Sequence, residues 1–312
     1  MGNPPPTASA VPILPAPGRV TGLTGTDGLL ALMTLIWGVN YIVIKAVFSQ
    51  MSPLAFNAVR FPVAVAAVAA FAWAVKSRRP GRAALPRLAA LGIVGNTCYQ
   101  WCYIEGMART RAGNAALIMA AVPVLTGVGS HVLGHERLRW RDVWGLGLST
   151  AGLTVLIFGS TERVRFGGDW SAVTGDLLML LAVVFWTAYT IGAKPLVDEL
   201  GATVTTAWTM GLGAIPLLVL CVPSALAQDW RAVTPAAWLG TIVFSSLGSL
   251  VLAYLIWYRG VSRLGSTRTA FYSNITPIVT MATAWPLLHE APTVWQIGGA
   301  VGIFAALGLI RS

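Results

Sequence analysis

GMARTRAGNAALIMAAVP (106–123) and GVSRLGSTRTAFYSNITP (260–277) stand 154 positions apart and agree without a gap at Gly106/Gly260, Arg109/Arg263, Ala116/Ala270 and Pro123/Pro277. The register continues through Thr126/Thr280 and Leu133/Leu287 to His135-Glu136 and His289-Glu290. Farther upstream, Asp27, Trp37 and Lys45 pair with Asp176, Trp186 and Lys194 at an offset of 149, and Pro62 with Pro216 at 154. The five-residue change in offset fits a longer connection between the sixth and seventh apolar spans. Chance matches of Leu and Ala carry little weight, but ordered matches of Trp, Asp, Lys, Pro, His and Glu carry much more. A duplicated membrane domain is the signature of carriers that rock one repeat against the other.

The membrane reading comes from composition. Of 312 residues, 56% are hydrophobic and 10% charged, and the mean hydropathy is +0.71. Soluble domains carry about 25% charged residues. Apolar runs of about 20 residues are long enough to cross a hydrocarbon core of about 30 Å. Ten occur, over roughly 28–49, 53–75, 86–107, 112–133, 143–159, 172–193, 202–226, 235–260, 268–289 and 293–310. Lipid offers no hydrogen bonds to exposed backbone, so the spans are helices or a closed barrel. The runs lack period-2 alternation, which excludes the barrel.

The expected architecture is therefore all-α and integral to the membrane, with ten transmembrane helices in two five-helix repeats over 27–159 and 172–312. An odd number of spans per repeat makes the second repeat inverted. Residues 1–26, with Pro4-Pro5-Pro6, Pro12, Pro15 and Pro17, read as a disordered tail. They lack the basic start and apolar middle of a signal peptide. Pro6 stands where a myristoylation motif needs Ser or Thr.

The net charge of +10 raises a nucleic-acid partner, and its distribution argues against one. Lys76, Arg78, Arg79, Arg82 and Arg87 fall between spans two and three. Arg137, Arg139 and Arg141 fall between spans four and five, and Arg259, Arg263 and Arg268 between spans eight and nine. With both termini inside, fourteen of the 21 Lys and Arg are cytoplasmic. That is the positive-inside bias, and anionic lipid headgroups account for the clusters.

The segment WGVNYIVIK (37–45), the stretch Pro53–Arg60, and the run from Ala112 through Pro123 to Glu136 with its echo ending at Glu290 resemble EamA-type proteins of the drug/metabolite transporter superfamily. The resemblance covers about residues 27–310 and is greatest to bacterial aromatic amino-acid and metabolite exporters. It implies a ten-helix inverted-repeat carrier of the bacterial inner membrane with a central cavity. The halves differ within it: Gly38 and Asn40 correspond to Thr187 and Tyr189, so the cavity is not expected to be chemically symmetric.

Polar groups facing hydrocarbon cost several kcal/mol, so polar stripes on membrane helices turn inward. In the third span Asn96, Tyr99, Gln100 and Tyr103 share one face at helical spacing. Trp37, Asn40, Tyr41 and Lys45 do so in the first span, Trp186, Tyr189 and Thr190 in the sixth, and Ser246, Ser249, Tyr254 and Trp257 in the eighth. Gln100 corresponds to Tyr254 and Tyr103 to Trp257, so the stripes are expected to meet across the repeat axis. The competing account is interhelical hydrogen bonding and an aromatic belt at the interface.

Such a lining suits zwitterionic or amphipathic solutes. Aromatic faces stack on rings and attract ammonium groups, and amides serve both a carboxylate and an amine. Sugar phosphates would need several buried cations. Arg60, about eight residues into the second span, is the exception, either a carboxylate clamp or a structural cation at the rim.

Pro123 and Pro277, matched and within spans, are candidate hinges because each removes a backbone donor. Cys98, Cys102 and Cys221 read as core residues and His131 with His135 as a helix end. No metal and no cofactor are expected. Gly145-x-x-x-Ser149 and Gly298-x-x-x-Gly302 have the pattern of close helix packing and leave a homodimer contact open.

The expected function is secondary transport by alternating access that exports aromatic or other hydrophobic amino acids and related metabolites or drugs. The expected partners are a small-molecule substrate and the lipid bilayer. A carrier of cationic drugs only, a channel or a structural membrane protein are the alternatives. An integral-membrane enzyme finds no nucleophile–base constellation to support it.

Overall fold

The structure is a computed structural model. It describes residues 25–110, 112–134, 140–141, 143–145, 147–148, 151, 170–288, 297–298 and 301. The Pro-rich tail up to residue 24, most of the fifth and tenth expected spans, both His-Glu pairs and both small-residue motifs lie outside the described residues in whole or in part.

The described secondary structure is helical throughout. Helices α1 (Gly25–Val47) and α2 (Pro53–Ala74) form the first two spans. The third is one continuous rod: α3 (Leu85–Gly92), a π-helical segment (Ile93–Cys98) and α4 (Tyr99–Arg109). The fourth is broken into α5 (Ala112–Met119) and α6 (Val122–Val132). The second half runs through α7 (Trp170–Leu200), α8 (Ala202–Ala227), α9 (Pro235–Leu239), a second π-helical segment (Gly240–Leu252) and α10 (Ala253–Leu264). It continues with α11 (Ser266–Tyr272) and, after a single 3-10 turn, α12 (Thr276–Leu288). Five described helical stretches, Gly25–Val47, Pro53–Ala74, Val173–Leu200, Ala202–Ala227 and Pro235–Leu264, are long and apolar enough to cross a membrane.

Burial follows the membrane pattern. Leu35, Leu177, Leu180, Val184, Ile215, Val219 and Val243 face outward, while Asn40, Asn57, Arg60, Asn96, Gln100, Thr205 and Ser249 are buried. Apolar residues face the surroundings and polar ones are withdrawn from them, as a lipid environment requires.

The two halves run in opposite senses. At the start of α1, Tyr272 donates a hydrogen bond to Asp27. At the other end of α1, Lys45 donates to the carbonyl of Thr110, whose Oγ1 donates to Asp176 at 2.6 Å. Asp176 is the counterpart of Asp27, so equivalent residues occupy opposite ends of the bundle. Gln50, Ser52, Gln228 and Thr234 interlock at the Lys45 end, with distances of 2.8–3.0 Å. Arg87 and Glu199, 3.4 Å apart, lie at the end opposite Asp176 on α7.

Packing is mainly between halves. The principal pairs are α4 with α7, α2 with α8, and α1 with α12 and the second π segment. The approach is closest where Gly213 of α8 meets Gly92 of α3: a Cβ on Gly213 would lie 2.1 Å from the Gly92 carbonyl oxygen. Only glycine permits this backbone-to-backbone contact.

The offset change has a different origin from the expected longer connection. Helix α7 turns into α8 through Gly201 alone, at φ 85°, a conformation that favours glycine. The extra residues lengthen both the end of α7 and the start of α8, whereas α1 and α2 are joined by the five residues 48–52.

Each half carries two further irregularities at matching places. At the 154 offset, the π segment 93–98 falls on 247–252, inside the second π segment. The break after Met119 falls on the 3-10 turn Ser273–Ile275, and Pro123 and Pro277 each occupy the second position of the helix that follows. In the first turn of a helix proline's missing N–H has no partner to lose. The prolines therefore start new helices, where the sequence alone suggested kinks within continuous ones.

Candidate functional site

Both helix breaks and the second π-helical segment border one cavity. Its atom-free space is about 580 Å³, counting its opening. Trp37, Asn40 and Tyr41 of α1, Arg60 of α2, Tyr99, Gln100 and Tyr103 of α4, and Trp186 of α7 line it. Ser249 and Tyr254 come from the eighth span. Met119, Ala120, Val122, Ser273 and Thr276 come from the two helix breaks.

Trp186 is the hub of the aromatic wall. Its ring centroid lies 4.8 Å from Tyr99, 5.2 Å from Tyr254, 5.4 Å from Trp257, 5.7 Å from Trp37 and 5.8 Å from Tyr189. Tyr103 extends the wall, 5.5 Å from Tyr99 and 5.9 Å from Tyr41. Most pairs are tilted or edge-to-face, the arrangement ring quadrupoles favour. Trp37 Nε1 donates to the Ser249 carbonyl at 3.1 Å, fixing that indole.

One polar chain crosses the cavity wall. Gln100 Nε2 donates to the Tyr254 hydroxyl at 2.9 Å, and Gln100 Oε1 accepts from Arg60 Nη2 at 3.5 Å. The first bond joins repeat-equivalent residues, the partner expected from the 154 offset. The second is at the outer limit for a hydrogen bond. Arg60 is 2% exposed, and its Nε and Nη1 have no partner among the described residues. Its guanidinium carbon lies 5.2 Å from the Phe56 ring centroid. No Asp or Glu among the described residues pairs with it.

Of the twelve residues expected at the site, eight line the cavity: Trp37, Asn40, Tyr41, Tyr99, Gln100, Tyr103, Trp186 and Tyr254. Asn96, Tyr189, Ser246 and Trp257 do not. Asn96 Nδ2 donates to the Tyr189 hydroxyl at 3.3 Å, and that hydroxyl meets Thr209 Oγ1 at 2.7 Å, forming a polar joint behind the wall. Ser246 donates to the Thr241 carbonyl five residues back, at 2.8 Å. Trp257 is fully buried and backs Trp37 and Trp186. The cause is local: Asn96 and Ser246 lie inside π-helical segments, where the wider turn rotates side chains off the face that 3.6-residue spacing assigns.

Sequence reasoning missed the residues at the breaks, Met119, Ala120, Val122, Ser273 and Thr276. Pro123 and Pro277 were their signal, since a helix that restarts at a proline leaves the preceding turn free to face a cavity. Tyr99, Gln100 and Tyr103 of the third-span stripe and Arg60, marked by position and polarity, do line the cavity.

Lys45, Tyr41 and Asn40 divide the first-span stripe by depth. Asn40 accepts from Ser245 across the halves, Tyr41 faces the cavity, and Lys45 reaches the outer cluster at Thr110. His131 is exposed, and no group of three His, Cys, Asp or Glu side chains gathers among the described residues.

Comparison with known proteins places this architecture. The profile described as "EamA-like transporter family" matches twice, over residues 25–158 and 173–312. A "Probable amino-acid metabolite efflux pump" of Salmonella typhimurium is 31% identical over 294 residues, covering 90% of this chain and 93% of its own. A "Probable terminal-alkyne amino-acid exporter" of Streptantibioticus cattleyicolor is 26% identical, covering 90% and 92%. A solved crystal structure superposes with a TM-score of 0.72 over 92% of this chain and 98% of its own, at 20% identity, which speaks for the fold alone.

Proposed function

This chain belongs to the EamA-like transporter family, and on that premise we propose that it is a secondary carrier exporting amino acids or related metabolites with aromatic or other apolar side chains. The carrying observation is the cavity at the junction of the two halves, walled by Trp37, Trp186, Tyr99 and Tyr254 and bordered by both helix breaks. Carriers built on inverted repeats bind substrate midway through the membrane, between repeats, at discontinuous helices. The wall offers ring faces for an apolar side chain, amide and hydroxyl groups for a polar end, and one cation.

Alternating access is a rocking of one half against the other about this site, with breaks before Pro123 and Pro277 as flexing points. Ten spans with both termini in the cytoplasm complete the reading, in the inner membrane of a bacterium. Two relatives named for amino-acid export support the substrate class and the outward direction. The family and those names favour transport over catalysis. A carrier restricted to cationic drugs is opposed by Arg60, which repels a cation from the space the rings enclose.

The test is counterflow. Purified protein in vesicles preloaded with tryptophan should take up labelled tryptophan saturably and transiently above equilibrium. Uptake linear in concentration without overshoot would identify a channel, and no uptake across aromatic, aliphatic and hydroxylated amino acids would remove the proposed substrate class.

A further inference from the structure

Arg60 is the one charged side chain among the described lining residues. It is always protonated, 2% exposed and bonded only weakly by Gln100, with Nε and Nη1 unpaired among the described residues. A buried charge without a counter-charge is expensive, and in a membrane helix it marks a ligand pathway. Two parallel N–H groups form the fork that a carboxylate fits. The duplication sharpens the point. The position equivalent to Arg60 is Ala214, so among the described lining residues the cavity has a cationic side and no anionic one. An ammonium would find ring faces and neutral oxygens of Asn40, Ser249 and Thr276, but no carboxylate among the described lining residues.

We propose that Arg60 is the substrate-carboxylate anchor, and that recognition needs a carboxylate and an apolar ring but not the α-amino group. The site then takes aromatic monocarboxylates as a class, amino acids among them, and refuses the matching amines. This rests on the carrier reading above and narrows its substrate.

The structural alternative makes Arg60 a packing residue held by Phe56 and Gln100, with no role in binding. Ligands missing one charged group at a time separate the two on the unmodified, full-length protein. The probes are tryptophan, indole-3-propionate (carboxylate only) and tryptamine (amine only). Binding is read by thermal stabilisation in detergent and by inhibition of tryptophan counterflow. Indole-3-propionate is expected to bind within about threefold of tryptophan, and tryptamine about ten- to a hundredfold more weakly, the range of one to two charge-assisted hydrogen bonds. Arg60→Gln should weaken indole-3-propionate by a similar factor and leave tryptamine unchanged, and Arg60→Lys should restore part of the loss.

Tryptamine binding as tightly as indole-3-propionate would overturn the proposal without any variant, so it stays testable should Arg60→Gln not fold. Undiminished indole-3-propionate binding by folded Arg60→Gln would overturn it too, as would failure of both carboxylates to bind. Binding of indole-3-propionate without tryptophan counterflow would leave the anchor standing and count against the transport reading alone.

Discussion

Trp37 and Trp186 occupy equivalent places in the two halves, 149 positions apart, and their rings meet edge to face with centroids 5.7 Å apart at 81°. The axis relating the halves therefore passes close to this contact, beside the cavity. Gln100 and Tyr254 repeat the relation with a 2.9 Å hydrogen bond. On the carrier reading proposed above, a substrate in this cavity would touch both halves at once, which is what coupling their relative motion to binding requires.

Gln100 gives two opposed substitutions. Gln100→Glu places a carboxylate where an amide oxygen already faces Arg60 at 3.5 Å. The resulting ion pair should keep or raise thermal stability while abolishing tryptophan counterflow, because Arg60 is then occupied. Gln100→Leu keeps the volume but strips partners from Arg60 and Tyr254. A buried group left unpaired costs about 1–3 kcal/mol, so stability falls, and transport affinity should fall about five- to thirty-fold. Melting temperature and counterflow measured on both variants test the pair.

Tyr99 stacks closest to Trp186, at 4.8 Å. Tyr99→Ala removes a ring face worth about 0.5–1.5 kcal/mol beyond its buried area. Tryptophan transport should suffer severalfold more than threonine transport. Equal losses for the two substrates would place Tyr99 in helix packing.

Pro123→Ala and Pro277→Ala supply the backbone donor that lets each broken span close into one rod. If the breaks flex during the cycle, maximal rate should drop at least severalfold with substrate affinity near that of the parent. Rates unchanged in both variants would make the prolines helix starts and nothing more.

Arg79 follows α2, and Gln228 follows α8 at the opposite end of the bundle. With the native cysteines replaced, a single cysteine at Arg79 should react with an impermeant maleimide only from the cytoplasmic side, and one at Gln228 only from outside. Labelling of both from one side would reverse the assigned topology.

Much of this was legible in the sequence, for a physical reason. Hydropathy gives spans because lipid permits little else, and the 154 offset paired Gln100 with Tyr254 because duplicated chains keep their internal geometry. The burial of Arg60 followed from its depth in the second span. What stayed hidden depends on the neighbouring helix. The wide turns at 93–98 and 240–252 leave no motif of their own, so they displaced Asn96 and Ser246 from the expected face without warning. Met119 and Ala120 look like lipid-facing residues until the break at 120–121 turns them inward.

Arg60 opposite Ala214 also bears on ancestry. Two copies of the first half, closed on each other as a symmetric dimer, would bring two guanidiniums into one chamber and set Gln100 against Gln100. Two copies of the second half would bring none and set Tyr254 against Tyr254. Whatever symmetric ancestor preceded the fusion, the present halves bring different chemistry to the shared chamber, a guanidinium and an amide from one and a phenol from the other.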